Sequence, residues 1–144
     1  MIRLARIEDA GEIIALAKQF HEASRTTLPF SYRMADNLFA KCLDDFNHLC
    51  IILVKDDKIV GFLAAQCGYL HFSTDLVAQE IAWFIEPESR GLESLKMLNF
   101  YERWAVERGC KYASMVGLGY NPITEKLYQR RGYIAQERHF FKPL

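Results

Sequence analysis

The stretch HLCIILVKDDKIVGFLAAQCGYL, residues 48–70, constrains the fold of this chain more than any other. Two β-rich runs flank the polar turn Lys55-Asp56-Asp57-Lys58, the pattern of a β-hairpin. A lone hairpin is marginally stable in water, so the flanking segments must build onto it.

Those segments carry suitable patterns. Residues 2–7, IRLARI, alternate imperfectly and read as a short first strand. From Asp9 onward, Ile13, Ile14, Leu16, Ala17 and Phe20 fall on a helical stripe. SRTTLPF is a loop marked by Pro29. Ser31 caps a second helix to about Phe46, with Met34, Leu38 and Leu43 inward. After the hairpin, STDL at 73–76 is a turn, and AQEIAWFIEP is a strand ended by Pro87. The strongest helical pattern covers 92–108. It puts Leu95, Leu98, Tyr101 and Ala105 on one face, with Glu93, Lys96, Arg103 and Glu107 largely away from it. Gly109 ends that helix. KYASMVGLG is a strand, with Gly117 and Gly119 near its end allowing close backbone approach or a bulge. NPITEKLYQRR is a helix with Asn121 as N-cap and Pro122 at its first position, ended by Gly132. YIAQERHFFKPL reads as a last strand. The order β α α β β β α β α β predicts one α/β domain over 1–144, a mixed sheet of about six strands flanked by about four helices.

Composition narrows the function. Apolar residues make up 51% of the chain, which argues for a folded globule. Lys plus Arg is 18 and Asp plus Glu is 18, so the basic excess of a nucleic-acid binder is missing and no nucleic-acid partner is expected. Cys42, Cys50, Cys67 and Cys110 have no CxxC spacing and no His at ligand spacing, so they read as reduced thiols in or near the core. Cys67 and His71 share a strand face about 13 Å apart, too far for a nucleophile–base pair. MIRLARIEDA lacks the apolar core of a signal peptide, and apolar runs such as IVGFLAA are too short to span a bilayer. The expectation is a cytoplasmic chain with no membrane partner.

Two segments resemble a known family. EIAWFIEPESRG at 80–91 is similar to the strand-then-"V-x-P-E-x-R-G" signature of the GNAT superfamily of N-acetyltransferases. NPITEKLYQRRGY at 121–133 resembles that family's "N-x-x-A-x-x-L-Y-x-x-x-G-F", with the Asn-to-Tyr and Tyr-to-Gly spacings intact. The resemblance covers about residues 80–140; the N-terminal half matches in element order only. The E-x-x-W-x-I-x-P-E-x-R-G form is also similar to small members encoded by tailed phages. The resemblance implies a GNAT-like acyl-CoA N-acyltransferase fold with a partly splayed sheet. It also implies acetyl-CoA as co-substrate, no metal, and a small-molecule or protein amine as acceptor.

Residue by residue, it implies a CoA pyrophosphate loop where PESRGLESLKML opens a helix. A helix start offers unpaired N–H donors and the positive end of its dipole, and Arg90 adds a charge-assisted donor. Arg90 and Gly91 match the family loop, with Leu92 between them and the next positions. Glu93 stands where the family has its second glycine, and Leu95 stands at the third. With one loop residue deleted, Ser94 takes the small position and Leu95 stays on the core face. Glu93 beside a pyrophosphate is repulsive unless it points to solvent or pairs with Lys96 or Arg90; at a helix start it is otherwise favourable. The backbone of Phe84 and Ile85 would pair with the pantetheine arm, and Asn121 would contact CoA as well as cap its helix.

Tyr128 matches the family's acid for the departing thiolate, a task its hydroxyl suits; the alternative is a core aromatic with a satisfied hydroxyl. Glu80 resembles the family's base for the incoming ammonium; the alternative is a solvated strand-start glutamate. His71 is a second candidate base. Glu86 and Glu88 read as solvated loop charges. Two other functions stay open: a binding or regulatory protein that lost the chemistry, favoured by Glu93 and the missing glycines, and an acyltransferase using an acyl carrier protein. The latter expects a basic patch from Arg90, Lys96, Arg130 and Arg131. The acceptor would sit among helices 9–24 and 31–46, their connecting loop and the turns near 71–78. The apolar end HFFKPL is a candidate strand across a homodimer.

Overall fold

The computed structural model describes residues 1–117 and 121–144. The hairpin forms as expected. Strand β2 (His48–Lys55) pairs antiparallel with β3 (Lys58–Tyr69) across a turn in which Asp56 and Asp57 both take positive φ, 47° and 60°. Short residues with polar side chains tolerate that region better than most. On one side β1 (Ile2–Leu4) adds antiparallel to β2. On the other, β4 (Leu76–Ile85) adds antiparallel to β3, and β5 (Tyr112–Ser114) adds parallel to β4. The described residues thus form a five-stranded mixed sheet in chain order β1-β2-β3-β4-β5.

Helices cover both faces. α1 (Ala10–Ala23) and α2 (Tyr32–Asp44) lie on one face, where Ile13, Leu16 and Phe39 bury against Cys50, Ile52, Phe62, Ala64, Ala82 and Phe84. α3 (Leu92–Glu107) lies on the other, sinking Met97, Leu98, Tyr101, Trp104 and Ala105 onto Ile51, Leu53, Leu63 and Ile85. α4 (Pro122–Arg130) is held near α3 by Arg131 and Tyr133, both of which bond Glu102. This is the mixed α/β architecture expected. The fully buried side chains Ile51, Ile52, Leu53 and Leu63 all belong to the hairpin, which is the centre of the core.

Several local expectations change. α1 is entered through a 3-10 turn, Ile7–Asp9; the Asp9 carboxylate takes two bonds from Arg3 and one from the Arg6 N–H. Those bonds hold its pKa below the usual carboxylate range. The Ser31 cap on α2 forms, but the helix stops at Asp44 and its buried residue is Phe39; Met34 is exposed. β4 begins at Leu76, within the segment read as a turn. The strand read from KYASMVGLG keeps three residues, because side chains take its next backbone groups. Gly119 lies outside the described residues. YIAQERHFFKPL forms no strand: Tyr133 packs back onto the α3 core, while Phe140 and Phe141 stay exposed. No strand among the described residues pairs with it. The sheet therefore has one strand fewer than expected.

Candidate active site

The site grows from an irregularity in β4. Along the β3–β4 ladder Ala64 faces Ala82 and Ala65 faces Glu80, so Ile81 is an extra residue on β4. Such a bulge re-aims side chains. Ile81, Ala82 and Phe84 pack on the α1/α2 face, whereas Ala78, Trp83 and Ile85 pack on the α3 face. Alternation from Ala78 carries Glu80 to the α3 side.

The second element is the split between β4 and β5. Their parallel ladder runs over Val77–Gln79 against Tyr112–Ser114 and stops. The chain leaving β5 is then pinned by side chains. Tyr101 Oη donates to the Ser114 carbonyl at 2.9 Å, the Val116 N–H donates to Glu80 Oε2 at 2.8 Å, and Tyr128 Oη donates to the Val116 carbonyl at 3.3 Å. The Glu80 carboxylate stands where a backbone acceptor would have continued the ladder. One residue, Val116, thus links Glu80 through its N–H and Tyr128 through its carbonyl. Val116 and Tyr101 escaped the sequence reading: Val116 acts through its backbone, which leaves no residue-type signal, and Tyr101 shows only as part of a helical stripe.

Glu80 is 7% exposed, which removes the solvated strand-start alternative. Burial pushes its carboxyl up to about 7, against the opposing pull of the Val116 N–H. Tyr128 is 8% exposed, stacks against Trp83 at 6.4 Å and tilts against Tyr133 at 5.8 Å. Burial first, then the facing Glu80 carboxylate, hold its hydroxyl far above its ordinary range, so it stays protonated. His71 sits in an exposed turn beyond the end of β3.

Beyond Gln79 no described strand pairs with the outer edge of β4. The Glu86 N–H donates to Val60 on β3, so alternation turns the Phe84 backbone toward β3 and that of Ile85 and Trp83 outward. Arg90 Nε already donates to the Ile85 carbonyl at 2.8 Å, and its guanidinium lies 5.9 Å from the Phe84 ring. The Trp83 indole N–H is buried without an acceptor among the described residues.

The loop after β4 makes a 3-10 turn over Pro87–Ser89 and reaches Gly91, the N-cap of α3. Gly91 has φ 150° and ψ −143°, a region open in practice to glycine alone. Ser94 Oγ accepts from the Gly91 N–H at 3.4 Å, and the Ser94 N–H bonds the Gly91 carbonyl. The helix start leaves the Leu92 and Glu93 N–H groups with no helical acceptor. Glu93 turns onto Lys96 at 2.6 Å, which lowers its pKa. That is one of the two ways an acid is tolerated beside an anion. Lys55 joins the loop by donating to the Ser89 carbonyl. Asn121 accepts from the Thr124 N–H at 3.4 Å and caps α4.

The structure thus brings Glu80, Trp83 and Tyr128 together at the split. Arg90, Gly91, Leu92, Glu93 and Ser94 form one helix-start loop, which the Arg90–Ile85 bond ties to the end of β4. Three features suit a molecule with an amide-rich arm and a pyrophosphate: the unpaired edge, the orphaned indole donor, and the N–H groups of the helix start beside Arg90.

Solved structures agree with the architecture. A protein from Clostridium acetobutylicum described as a predicted acetyltransferase, solved with acetyl-CoA, superposes with a TM-score of 0.83 at 15% identity, over 99% of this chain and 95% of that one. The aminoglycoside acetyltransferase AAC(6')-Iy, in complex with a bisubstrate analogue, matches with a TM-score of 0.78 at 22% identity, covering 100% and 97%. A ribosomal-protein-alanine N-acetyltransferase from Brucella melitensis biovar Abortus 2308 matches at 0.74 and 18%, covering 100% and 99%. No curated protein matches the sequence. Residues 10–133 match the family described as Acetyltransferase (GNAT) family, and the chain belongs to it.

Proposed function

We propose that the chain is an acetyl-CoA-dependent N-acetyltransferase, a single transferase domain over 1–144 that moves acetyl to an amine by direct attack. The observation that carries this reading is the buried Glu80 carboxyl joined through Val116 to the Tyr128 hydroxyl, at the split between β4 and β5. Arg90, the N–H groups of Leu92 and Glu93, and the Ser94 hydroxyl would hold the pyrophosphate, with Gly91 giving the backbone room and Asn121 at the neighbouring helix start. The outward backbone of Trp83 and the Ile85 N–H, next to Phe84, would pair with the pantetheine arm, the Ile85 carbonyl being held by Arg90 Nε. Acetyl-CoA supplies the activated acyl group.

Glu80, with a pKa near 7, takes one proton from the acceptor's ammonium. The freed nitrogen bonds the thioester carbon, the C–S bond breaks, and the thiolate takes the Tyr128 proton. The nitrogen's second proton replaces the one the hydroxyl gave. A protonated Glu80 no longer opposes loss of the Tyr128 proton, so the acid strengthens once the base has acted. Thiol release on mixing protein, acetyl-CoA and a panel of primary amines tests the reading. Amine-dependent release that falls about 10–10³-fold in Tyr128→Phe supports it; unchanged turnover in that variant returns Tyr128 to a packing role.

The acyl-carrier alternative loses support. Of the four basic residues it needs, Lys96 is paired with Glu93 and Arg131 with Glu102.

A further inference from the structure

Cys67 and Cys110 lie far apart in sequence, yet both pack on the core cluster under α3. The end of α3 sets Cys110. The Gly109 N–H donates to the Val106 carbonyl and the Cys110 N–H to the Ala105 carbonyl, with Gly109 at φ 80°. That is the Schellman pattern, which fixes the residue after the glycine against the last helical turn. The next N–H, of Lys111, donates to Leu76 on β4. The sheet sets Cys67. Its N–H donates to the Asn47 carbonyl, its ladder partner is Ala78 on β4, and its thiol donates to Asn47 Oδ1 at 3.4 Å. Ala78 in turn pairs with Ala113 on β5, the strand that Cys110 leads into. The two thiols are in side-chain contact, and both are partly exposed.

We infer that Cys67 and Cys110 form a redox-active dithiol, closed to a disulfide by exchange with a small-molecule disulfide such as oxidised glutathione. The inference is independent of the acetyltransferase reading. The Cys67 thiolate attacks one sulfur of the oxidant, forming a mixed disulfide and releasing one glutathione thiolate. Cys110 then gives up its proton and attacks the Cys67 sulfur. The Cys67–glutathione bond breaks, and the second glutathione leaves. The two protein thiols lose two electrons, and the oxidant is reduced to two thiols. The surroundings set this order. Burial first, then the facing Cys67, push the Cys110 thiol up to about 11, so it is the poorer first nucleophile. Once capped, Cys67 carries no charge and no longer opposes loss of the Cys110 proton. The pair Cys42 and Cys50 lacks this access: Cys50 is 4% exposed, and burial pushes both thiols up. The bond between Cys67 and Cys110 closes a loop around β4, the helix-start loop and α3, and fastens the entry of β5 to β3.

The test incubates the native protein with oxidised glutathione, alkylates the remaining thiols in denaturant and maps the peptides by mass spectrometry. The expected result is a Cys67–Cys110 disulfide, with alkylated cysteines falling from four to two and returning to four after dithiothreitol. Cys110→Ser should stop at the first step and hold glutathione on Cys67. Should that variant fail to fold, the mapping of the native protein still decides. Four alkylated cysteines after oxidation, a Cys42–Cys50 bond, or glutathione held on Cys67 or Cys110 of the native protein with no internal bond overturns the inference.

Discussion

At the residue scale, Glu80 keeps its carboxyl in surroundings that raise its pKa from an ordinary value near 4.5 to about 7. The unfolded chain releases this proton near pH 4.5 and the folded chain only near pH 7, so between those values the folded state binds more protons. Stability contributed by Glu80 is therefore complete below pH 4.5 and is lost as pH rises to 7, by roughly 3 kcal/mol at full effect. Activity moves the opposite way, because only ionised Glu80 is a base. Urea unfolding and kcat/KM followed from pH 4.5 to 8 should thus show opposed slopes, and Glu80→Gln should flatten the stability slope. The same variant should lower kcat by about 10²–10⁴-fold; turnover within a few-fold of the native protein would exclude Glu80 as the base. The sequence placed Glu80 beside its motif but left its setting open. Its burial depends on β4 starting at Leu76, and Leu76 follows a Ser-Thr-Asp run that reads as a turn.

At the element scale, two glycines control the strand and loop that build the site. A Cβ on Gly61 would lie 2.9 Å from Ile85 Cγ1 and 3.0 Å from the Phe84 carbonyl oxygen. Gly61→Ala should force β3 and β4 apart at the end of β4 and cost about 1–3 kcal/mol by urea denaturation. Gly91→Ala meets open space but an unfavourable φ. It should cost roughly 1–3 kcal/mol and weaken acetyl-CoA binding, because the N–H groups of Leu92 and Glu93 follow that turn. A Gly91→Ala protein with native stability and affinity would contradict the role given to this loop. The helices were legible because amphipathic stripes and caps are local: Ser31 and Asn121 cap where the pattern put them, and Leu98, Tyr101 and Ala105 of the helix read over 92–108 are buried, though Leu95 is only half-buried and Met97 and Trp104 take the core beside them. The end of β5 and the C-terminal segment were not. Strand pairing depends on a partner's edge, and Tyr101, Glu80 and Tyr128 take the backbone groups that would have extended that edge.

At the scale of the whole molecule, the chain is a sheet with a helical layer on each face and a strand edge left open where β4 outruns β5. The α3 layer carries the proposed chemistry, with Glu80, Trp83 and Tyr128. The α1/α2 layer covers the opposite face, packed on Ile81, Ala82 and Phe84 of β4. No helix among the described residues is long and apolar enough to cross a membrane. The acceptor was the least legible part of the sequence, since a site for it would depend on helix spacing and the SRTTLPF loop, neither of which a residue pattern encodes.

Calorimetric titration of acetyl-CoA into the native protein and Arg90→Ala tests the central claim most directly. The account requires one saturable site, with affinity falling about tenfold or more when Arg90 loses its charge-assisted donors. No heat and no thermal shift at millimolar acetyl-CoA would contradict it.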